Sequence, residues 1–160
     1  MPLEIERKFL VIHDGWCRPD RGVRYRQGYL STDPGRSVRI RSAAGKGVIT
    51  IKGMTANRTR PEYEYTIPLE DAEELLDTLC LRPLIEKTRY VVEDAGMRWE
   101  VDEFEGENAG LIIAEVELAA ADQPIHLPDW VGEEVTDDPR YYNASLIAHP
   151  YSTWSGRPAH

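Results

Sequence analysis

Charged residues recur at every second position in several short segments of the sequence. The pattern is clearest in LEIERKFLV, residues 3–11, where Glu4, Glu6 and Lys8 alternate with apolar residues. The other pairs at this spacing are Arg24 and Arg26, Arg39 and Arg41, Glu62 and Glu64, Lys87 and Arg89, Glu100 and Asp102, and Glu115 and Glu117. Side chains two residues apart in an extended strand share a face, so each segment predicts a strand with one charged and one apolar face.

The types of charge indicate which chemistry such a face could perform. For a single strand, a solvated face is the ordinary explanation, because an antiparallel sheet commonly has one side in water. Here, however, the signs are segregated by strand, whereas surfaces usually mix them, and arginine, whose planar fork suits phosphate oxygens, dominates the basic pairs. If the charged face points inward, the carboxylates offer hard oxygen ligands for Mg²⁺ or Mn²⁺, and the cations could hold a strongly anionic group. A divalent metal with a polyphosphate would satisfy both sets.

The elements that carry these charges predict a mainly antiparallel β fold of the α+β class. The period-2 segments predict eight strands over 3–11, 22–31, 36–43, 47–53, 61–68, 84–94, 97–105 and 111–119. The glycines of SAAGKG and EDAGM indicate hairpin turns. An apolar stripe predicts an amphipathic helix over 69–80 that covers the outside of the sheet, and a second helix is expected over 138–149. Short strands without a βαβ rhythm favour a barrel or sandwich.

Composition limits the classes of protein that are possible. The chain has 160 residues and a formal net charge of −9, which favours a single domain over 1–150 with a polar tail over 151–160. The negative charge argues against binding to nucleic acid or to an anionic membrane. Cys17 and Cys80 lack metal-binding spacing and are expected to be free structural thiols. No signal peptide or membrane span is expected, which predicts a cytoplasmic protein.

With these motifs in order, the sequence resembles the CYTH superfamily, also called triphosphate tunnel metalloenzymes. The segment EIERK matches the ExExK signature of the family. The resemblance continues to about residue 150 through RQGYL, VRIR, TIKG, EYEY, EKTRY, AEVEL and GEEVTDDPRYYNASL. It is nearest to the small bacterial inorganic triphosphatases. The resemblance implies a closed eight-stranded antiparallel tunnel with a charged lumen and a few covering helices.

The resemblance also implies roles for individual residues. Metal coordination falls to Glu4, Glu6, Glu115 and Glu117, with Glu100 and Asp102 as outer or second-metal ligands. Phosphate binding falls to Arg39, Arg41, Lys52, Lys87 and Arg89. The metal would be Mg²⁺ or Mn²⁺, and the partner would be a small triphosphate substrate.

Lys8 and Tyr29 resemble the family's catalytic pair, in which the cation favours a tyrosinate that deprotonates the attacking water. A second metal ion that activates water directly is the alternative. On a regular strand, Tyr29 and Arg26 point to opposite faces. We expect Tyr29 to point inward, either because Gly28 forms a bulge or because Arg24 and Arg26 lie outside the lumen.

The predicted activity is metal-dependent hydrolysis of inorganic triphosphate to diphosphate and phosphate. Within the family, the alternatives are a class IV adenylate cyclase, a nucleoside triphosphatase and a thiamine triphosphatase. Outside enzymes, the alternative is a polyphosphate-binding module without turnover. The protein is expected to be a monomer or a homodimer.

Overall fold

The computed structural model describes residues 3–16, 18–19 and 21–155. The strands are β1 (Leu3–Val11), β2 (Val23–Ser31), β3 (Ser37–Ala43), β4 (Lys46–Lys52), β5 (Thr59–Ile67), β6 (Ile85–Asp94), β7 (Met97–Phe104), β8 (Ile112–Glu117) and β9 (Val131–Glu134). The helices are α1 (Leu69–Thr78) and α2 (Asn143–Ala148), with short 3₁₀ turns at Asp14–Trp16, Gly106–Asn108, Pro139–Tyr141 and Tyr151–Thr153. All eight predicted strands are present, with ends that differ by one or two residues. Cys17 and residues 156–160 of the predicted tail lie outside the described residues.

Eight of the strands form a closed antiparallel barrel. Their order is β5-β4-β3-β2-β6-β7-β8-β1, and the pairing of β1 with β5 closes the ring. One edge of β1 is shared, because Leu3–Ile5 pair with β5 whereas Phe9 and Val11 pair with β9. The closed tunnel fold is therefore confirmed, with β9 as an additional ninth strand.

Two tight turns fix the register of neighbouring strands. Ala44 and Gly45 connect β3 to β4, and Ala95 and Gly96 connect β6 to β7, all four with positive φ angles between 48° and 77°. Two consecutive residues with positive φ are typical of the type I′ hairpin, whose twist matches that of the paired strands. The hairpins predicted from the glycines are thus present.

The outer face of the barrel is covered by two apolar clusters. In the larger one, Trp99 lies between Phe9 and Trp130, with ring centroids 5.7 Å away in each case, and Trp16 packs against Tyr90. The second cluster places Ala72 and Leu76 of α1 against the outer faces of β3 and β4, where it includes Ile40, Ile49 and Cys80. The prediction that this helix covers the barrel exterior is confirmed.

A third cluster fills part of the barrel interior at one end, and we call it the α2 cluster. Leu146 and Ile147 of α2 pack among inward-facing strand residues that include Ile85, Phe104 and Ile113. Tyr151, at the start of the predicted tail, is also buried in this cluster. The α2 cluster therefore separates an apolar part of the barrel interior from a polar part.

Two features differ from the sequence prediction. The second helix does not run continuously over 138–149: the 3₁₀ turn at Pro139–Tyr141 is separated from α2 by Tyr142, whose extended backbone (φ −69°, ψ 137°) interrupts the helix. Strand β9 was not predicted, because its four residues are too short for a period-2 pattern to be visible. No helix in the described ranges has the length and hydrophobicity needed to cross a membrane.

Candidate functional site

The polar part of the barrel interior is a cavity of about 510 Å³. It brings together nearly all of the predicted site residues, namely Glu4, Glu6, Lys8, Tyr29, Arg39, Arg41, Lys52, Lys87, Arg89, Glu100, Glu115 and Glu117. Asp102 is not part of the cavity lining: it lies on the same face of β7 as Glu100, almost fully buried, and contacts two of these cations. Solvent reaches the cavity, since Met54 in its lining is 62% exposed.

The orientation of β2 resolves the alternation problem at Tyr29. Pairing with β3 is regular from Tyr25 to Tyr29, so Gly28 does not form a bulge. Instead, Arg26 points outward and binds Glu73 and Asp77 of α1, while Tyr29 lines the cavity. Arg24 also lies outside, where it contacts Glu86 and Glu105. Gly28 is required for close packing, because a Cβ atom there would lie 2.8 Å from the Cβ of Cys80.

On the β6–β7 side of the cavity, every cation has a carboxylate partner. Lys87 donates to Asp102 Oδ2 at 2.6 Å, and Arg89 donates to both Asp102 oxygens at 2.7 and 2.9 Å. Arg89 also contacts Glu100 at 3.1 Å. Burial would raise the pKa of Asp102, but the charges of Lys87 and Arg89 hold it well below its usual range. We call these four residues the paired wall.

The two cations of the paired wall differ in their protonation. Burial lowers the pKa of Lys87 to about 7, and the nearby charge of Arg89 acts in the same direction against the attraction of Asp102. Burial also disfavours the charge of Arg89, but Asp102 outweighs this effect and raises the pKa of Arg89 well above its ordinary value. Asp102 therefore sustains the charge of Arg89, whereas its attraction does not offset the burial of Lys87.

A second group of paired charges lies between β1, β4 and β5. Lys52 Nζ donates to the two oxygens of Glu4 at 2.8 and 2.9 Å and lies 3.5 Å from Glu62. Arg60 also contacts Glu4 at 3.4 Å. A hydrogen bond with Glu4, together with burial, raises the pKa of Glu62 to about 7. Sequence reasoning noted Glu62 but gave it no role, and it did not include Arg60 at all.

The cations of β3 lack such partners, and we call Arg39 and Arg41 the unpaired wall. Within the described part of the chain, neither guanidinium has a carboxylate oxygen within 4.0 Å, and both line the cavity. Arg39 donates only to Thr50, at 3.2 Å, and its buried Nε has no partner. Burial lowers the pKa of Arg41 to about 10, with Arg39 and Arg89 contributing as neighbouring positive charges. This wall therefore presents positive charge that no carboxylate among the described residues contacts directly.

The carboxylates of β1 and β8 form a row opposite these cations. Glu6 pairs in register with Glu117, and Lys8 pairs with Glu115, so the three acids share one face of the ladder. Burial and the charge of Glu115 raise the pKa of Glu6 to about 7. Among the residues described, neither Glu6 nor Glu117 has a cationic nitrogen within 4.0 Å. Carboxylates held this close favour a cation between them, since their mutual repulsion is then removed.

The chemistry of these oxygens fits a divalent metal ion. Mg²⁺ and Mn²⁺ prefer carboxylate oxygens and need only one or two of them when phosphate and water complete the coordination. The side chains are spread along the ladder, and no group of three or more His, Cys, Asp or Glu in the described ranges is arranged to hold a metal ion. The donor types therefore match the predicted metal, and rotation of glutamate side chains would be needed to bring them together.

Lys8 and Tyr29 both line the cavity, on strands that are separated within the barrel. Lys8 Nζ lies 3.8 Å from Glu115 and 5.6 Å from the centre of the Tyr142 ring. Burial would lower the pKa of Lys8, but Glu115 and Glu6 outweigh it and raise the pKa, so the ammonium is retained. The charge of Lys8 also interacts with the Tyr29 phenol, although no hydrogen bond joins the two.

Three further polar residues were missed by sequence reasoning. The ring of Tyr25 lies between two guanidinium groups, 4.7 Å from that of Arg41 and 4.9 Å from that of Arg89. Gln27 is fully buried and accepts from Arg41 Nε at 3.2 Å. Asn143, on α2, lines the cavity and accepts from Gln27 at 3.0 Å. Tyr25 and Gln27 alternate with Tyr29 on β2 at the spacing that places all three on its inward face. This spacing is the signal from which these two residues could have been identified.

The closed barrel and its charged cavity define the class of this protein. The sequence matches the CYTH domain over residues 2–151, and the chain belongs to the CYTH family. An inorganic triphosphatase of Acetivibrio thermocellus is 49% identical over 154 residues, which cover 96% of this chain and 99% of that protein. An inorganic triphosphatase of Nitrosomonas europaea is 39% identical over 150 residues, covering 89% and 95%. A crystal structure of an inorganic triphosphatase aligns with a TM-score of 0.65 at 37% identity, covering 92% of this chain and 95% of that one.

Proposed function

We propose that this protein hydrolyses inorganic triphosphate to diphosphate and phosphate in a reaction that depends on a divalent metal ion. The observation that carries the proposal is the unpaired wall. Two arginines of the cavity lining, one of them buried, have no carboxylate within 4.0 Å among the described residues and face a row of carboxylates across one cavity, an arrangement that calls for an anionic ligand together with a cation. Phosphoryl transfer depends mainly on positioning and on neutralisation of charge, which this cavity can supply. The relatives named as inorganic triphosphatases support the same activity.

Phosphate binding is assigned to the cations of the cavity. Arg39 and Arg41 are free to form bidentate hydrogen bonds to phosphoryl oxygens, because no carboxylate competes for them. Lys52, Lys87 and Arg89 also line the cavity and add positive charge, which their carboxylate partners reduce. The unpaired wall is therefore expected to bind triphosphate most strongly.

Metal binding is assigned to Glu6, Glu115 and Glu117, with Glu4 further along the same face. Triphosphatases of this family depend on a metal, and Mg²⁺ or Mn²⁺ fits the oxygen donors. When bound, the ion neutralises phosphoryl charge and polarises the bond to be cleaved. Glu100 and Asp102 are less suited to this role, because Arg89 already occupies oxygen atoms of both. The same holds for Glu4, whose two oxygens accept from Lys52.

Lys8 and Tyr29 are proposed to activate the attacking water. The ammonium of Lys8 is retained, and Tyr29 lines the same cavity. Replacement Tyr29→Phe is expected to lower kcat about 10²- to 10⁴-fold with a small change in KM, as for loss of a general base. Steady-state kinetics with triphosphate tests this, and a kcat close to that of the unmodified enzyme would favour water activation by metal alone.

The substrate is tested by incubating the purified protein with triphosphate, ATP and thiamine triphosphate, each with Mg²⁺ or Mn²⁺. We expect phosphate release to be fastest from triphosphate. Formation of cyclic AMP from ATP without phosphate release from triphosphate would instead identify an adenylate cyclase. Tight triphosphate binding without hydrolysis under either metal would identify a binding module. The oligomeric state, monomer or homodimer, stays a prediction, and light scattering on the same sample would test it.

A further inference from the structure

Two amide side chains, one of them fully buried, connect the unpaired wall to the paired wall. Arg41 Nε donates to Gln27 Oε1 at 3.2 Å, and Gln27 Nε2 donates to Asn143 Oδ1 at 3.0 Å. Lys87 Nζ lies 3.4 Å from the same Asn143 oxygen and donates to it. Gln27 has no exposed surface, whereas Asn143 lines the cavity. This chain of hydrogen bonds therefore starts at one phosphate-binding candidate and ends at another.

The direction of this chain determines which amide group remains free. A guanidinium can only donate, so the Gln27 atom facing Arg41 is its oxygen, and its NH₂ group faces Asn143. The Asn143 atom that receives this bond is consequently its oxygen. The Nδ2 group of Asn143 has no acceptor among the residues that the structure describes, and it belongs to a residue in the cavity wall.

We propose that Asn143 is a substrate-binding residue, whose Nδ2 group donates to a phosphoryl oxygen of triphosphate beside Arg41, and that Gln27 is a positioning residue for both side chains. This inference rests on the proposed function and adds a ligand contact from α2 to the cations of the strands. A neutral amide suits this place because it adds a directed hydrogen bond without another positive charge. Arg39, Arg41 and Arg89 already repel one another here, as the lowered pKa of Arg41 indicates.

The first test is Asn143→Asp, which keeps an oxygen acceptor for Gln27 and Lys87 but replaces the free donor with a carboxylate oxygen. We expect the KM for triphosphate to rise about 10- to 100-fold, as for loss of a hydrogen bond to a charged group, with a smaller change in kcat. The dissociation constant of triphosphate, measured by calorimetry without metal, is expected to rise by a similar factor. Asn143→Ala removes the donor without adding charge and is expected to show a smaller rise in both constants.

The second test separates positioning from contact. Gln27→Met keeps most of the side-chain volume but removes both hydrogen bonds, so Arg41 and Asn143 lose their orientation. We expect a KM increase of about three- to tenfold, below that of Asn143→Asp, since both contact groups remain. In Gln27→Met combined with Asn143→Asp, the two effects on KM are expected to be less than additive, because both act through the same contact.

Ile147→Val serves as the control for loosening of α2. It shortens a side chain of the α2 cluster that does not line the cavity, so it is expected to lower Tm while leaving KM unchanged. An Asn143→Asp protein with unchanged triphosphate affinity would overturn the inference, even if the unmodified enzyme hydrolyses triphosphate. If the unmodified protein does not hydrolyse triphosphate, the proposed function fails, and the metal-free binding measurement still decides the role of Asn143.

Discussion

The paired and unpaired walls carry the same kind of side chain on neighbouring sides of one cavity, yet they differ in how their charge is balanced. On the paired wall, Asp102 holds Lys87 and Arg89 within hydrogen-bond distance. On the unpaired wall, the hydrogen-bond partners of Arg39 and Arg41 among the described residues are the neutral side chains of Thr50 and Gln27. A buried charge without a counter-ion costs stability, so its presence indicates a ligand that supplies the missing charge. Under the proposed function, we therefore expect the cations of the unpaired wall to contribute most to triphosphate binding and those of the paired wall to contribute also to the stability of the barrel.

The same distinction extends to the acids, and it predicts the largest effect on activity. Glu117 is an unpaired carboxylate of the row, so Glu117→Ala is expected to abolish metal-dependent turnover, by about a hundredfold or more. Calorimetric titration with Mg²⁺ and Mn²⁺ is expected to show weaker metal binding as well. Glu103→Ala is the matched control, because Glu103 lies outside the cavity lining and contacts Arg18. An active Glu117→Ala enzyme would remove the metal assignment.

The largest effect on stability is expected in the paired wall. Asp102→Ala leaves the buried Lys87 and the largely buried Arg89 without their shared partner, and it is expected to lower the free energy of unfolding by about 3–5 kcal/mol. Urea denaturation monitored by tryptophan fluorescence measures this loss. Asp102→Asn retains an oxygen acceptor and is expected to lose less. A loss below about 1 kcal/mol in Asp102→Ala would mean that the pairing does not organise the barrel.

The unpaired wall is expected to respond in the opposite way. Arg41→Ala removes a repelled cation, so the free energy of unfolding is expected to stay level or rise, while the KM for triphosphate increases about 10- to 100-fold. Arg26→Ala provides the control, because Arg26 is an arginine of the neighbouring strand β2 that points outward and contacts α1. If both variants showed the same KM, the contrast between inward and outward arginines would carry no functional meaning.

The smallest effect is expected for a pair outside the cavity. Arg7 on β1 contacts Glu134 on β9, both partly exposed, and this hydrogen bond lowers the pKa of Glu134 from 4.5. A lowered carboxyl pKa stabilises the fold above the unfolded-state pKa, and the stabilisation is lost as the pH falls below about 4.5. Glu134→Gln is therefore expected to cost less than about 1 kcal/mol at pH 7, and the difference from the unmodified protein should shrink at pH 3. Urea denaturation at both pH values measures the difference in free energy of unfolding. A difference that does not depend on pH would exclude an ionic origin of the stabilisation.

The sequence predicted the barrel walls well, because strand parity is a local property. Period-2 spacing located all eight barrel strands, and it placed Glu6, Arg41 and Glu115 on the inner face. The period-2 spacing was ambiguous on β2, because both faces of that strand carry polar residues. The outward orientation of Arg26 is explained by its contacts with Glu73 and Asp77, which lie on a helix distant in sequence.

The pairing of charges could not be predicted, because it depends on contacts between strands. Arg41 and Arg89 each belong to a basic pair at the same spacing, and only the register of β6 with β7 places Asp102 opposite Arg89. The contribution of α2 was missed for a similar reason. Asn143 enters the cavity wall because α2 packs inside the barrel, and the amphipathic pattern of a short helix does not show which surface it will contact.

The shared edge of β1 has a consequence for how the protein folds. Strands β2, β3, β4 and β5 pair in sequence order, and so do β6, β7 and β8. Each of these two sets can therefore form by local contacts. Strand β1 instead pairs with β5, β8 and β9, and the partner residues lie more than fifty positions further along the chain. Because loop closure over such distances is slow, the pairings of β1 are expected to form late in folding, as is the pairing of β2 with β6, whose partner residues are similarly far apart in sequence. Glu4, Glu6 and Lys8 therefore enter the cavity only when β1 pairs with its distant partners, whereas Arg39 and Arg41 lie on a strand that pairs with its neighbours in sequence.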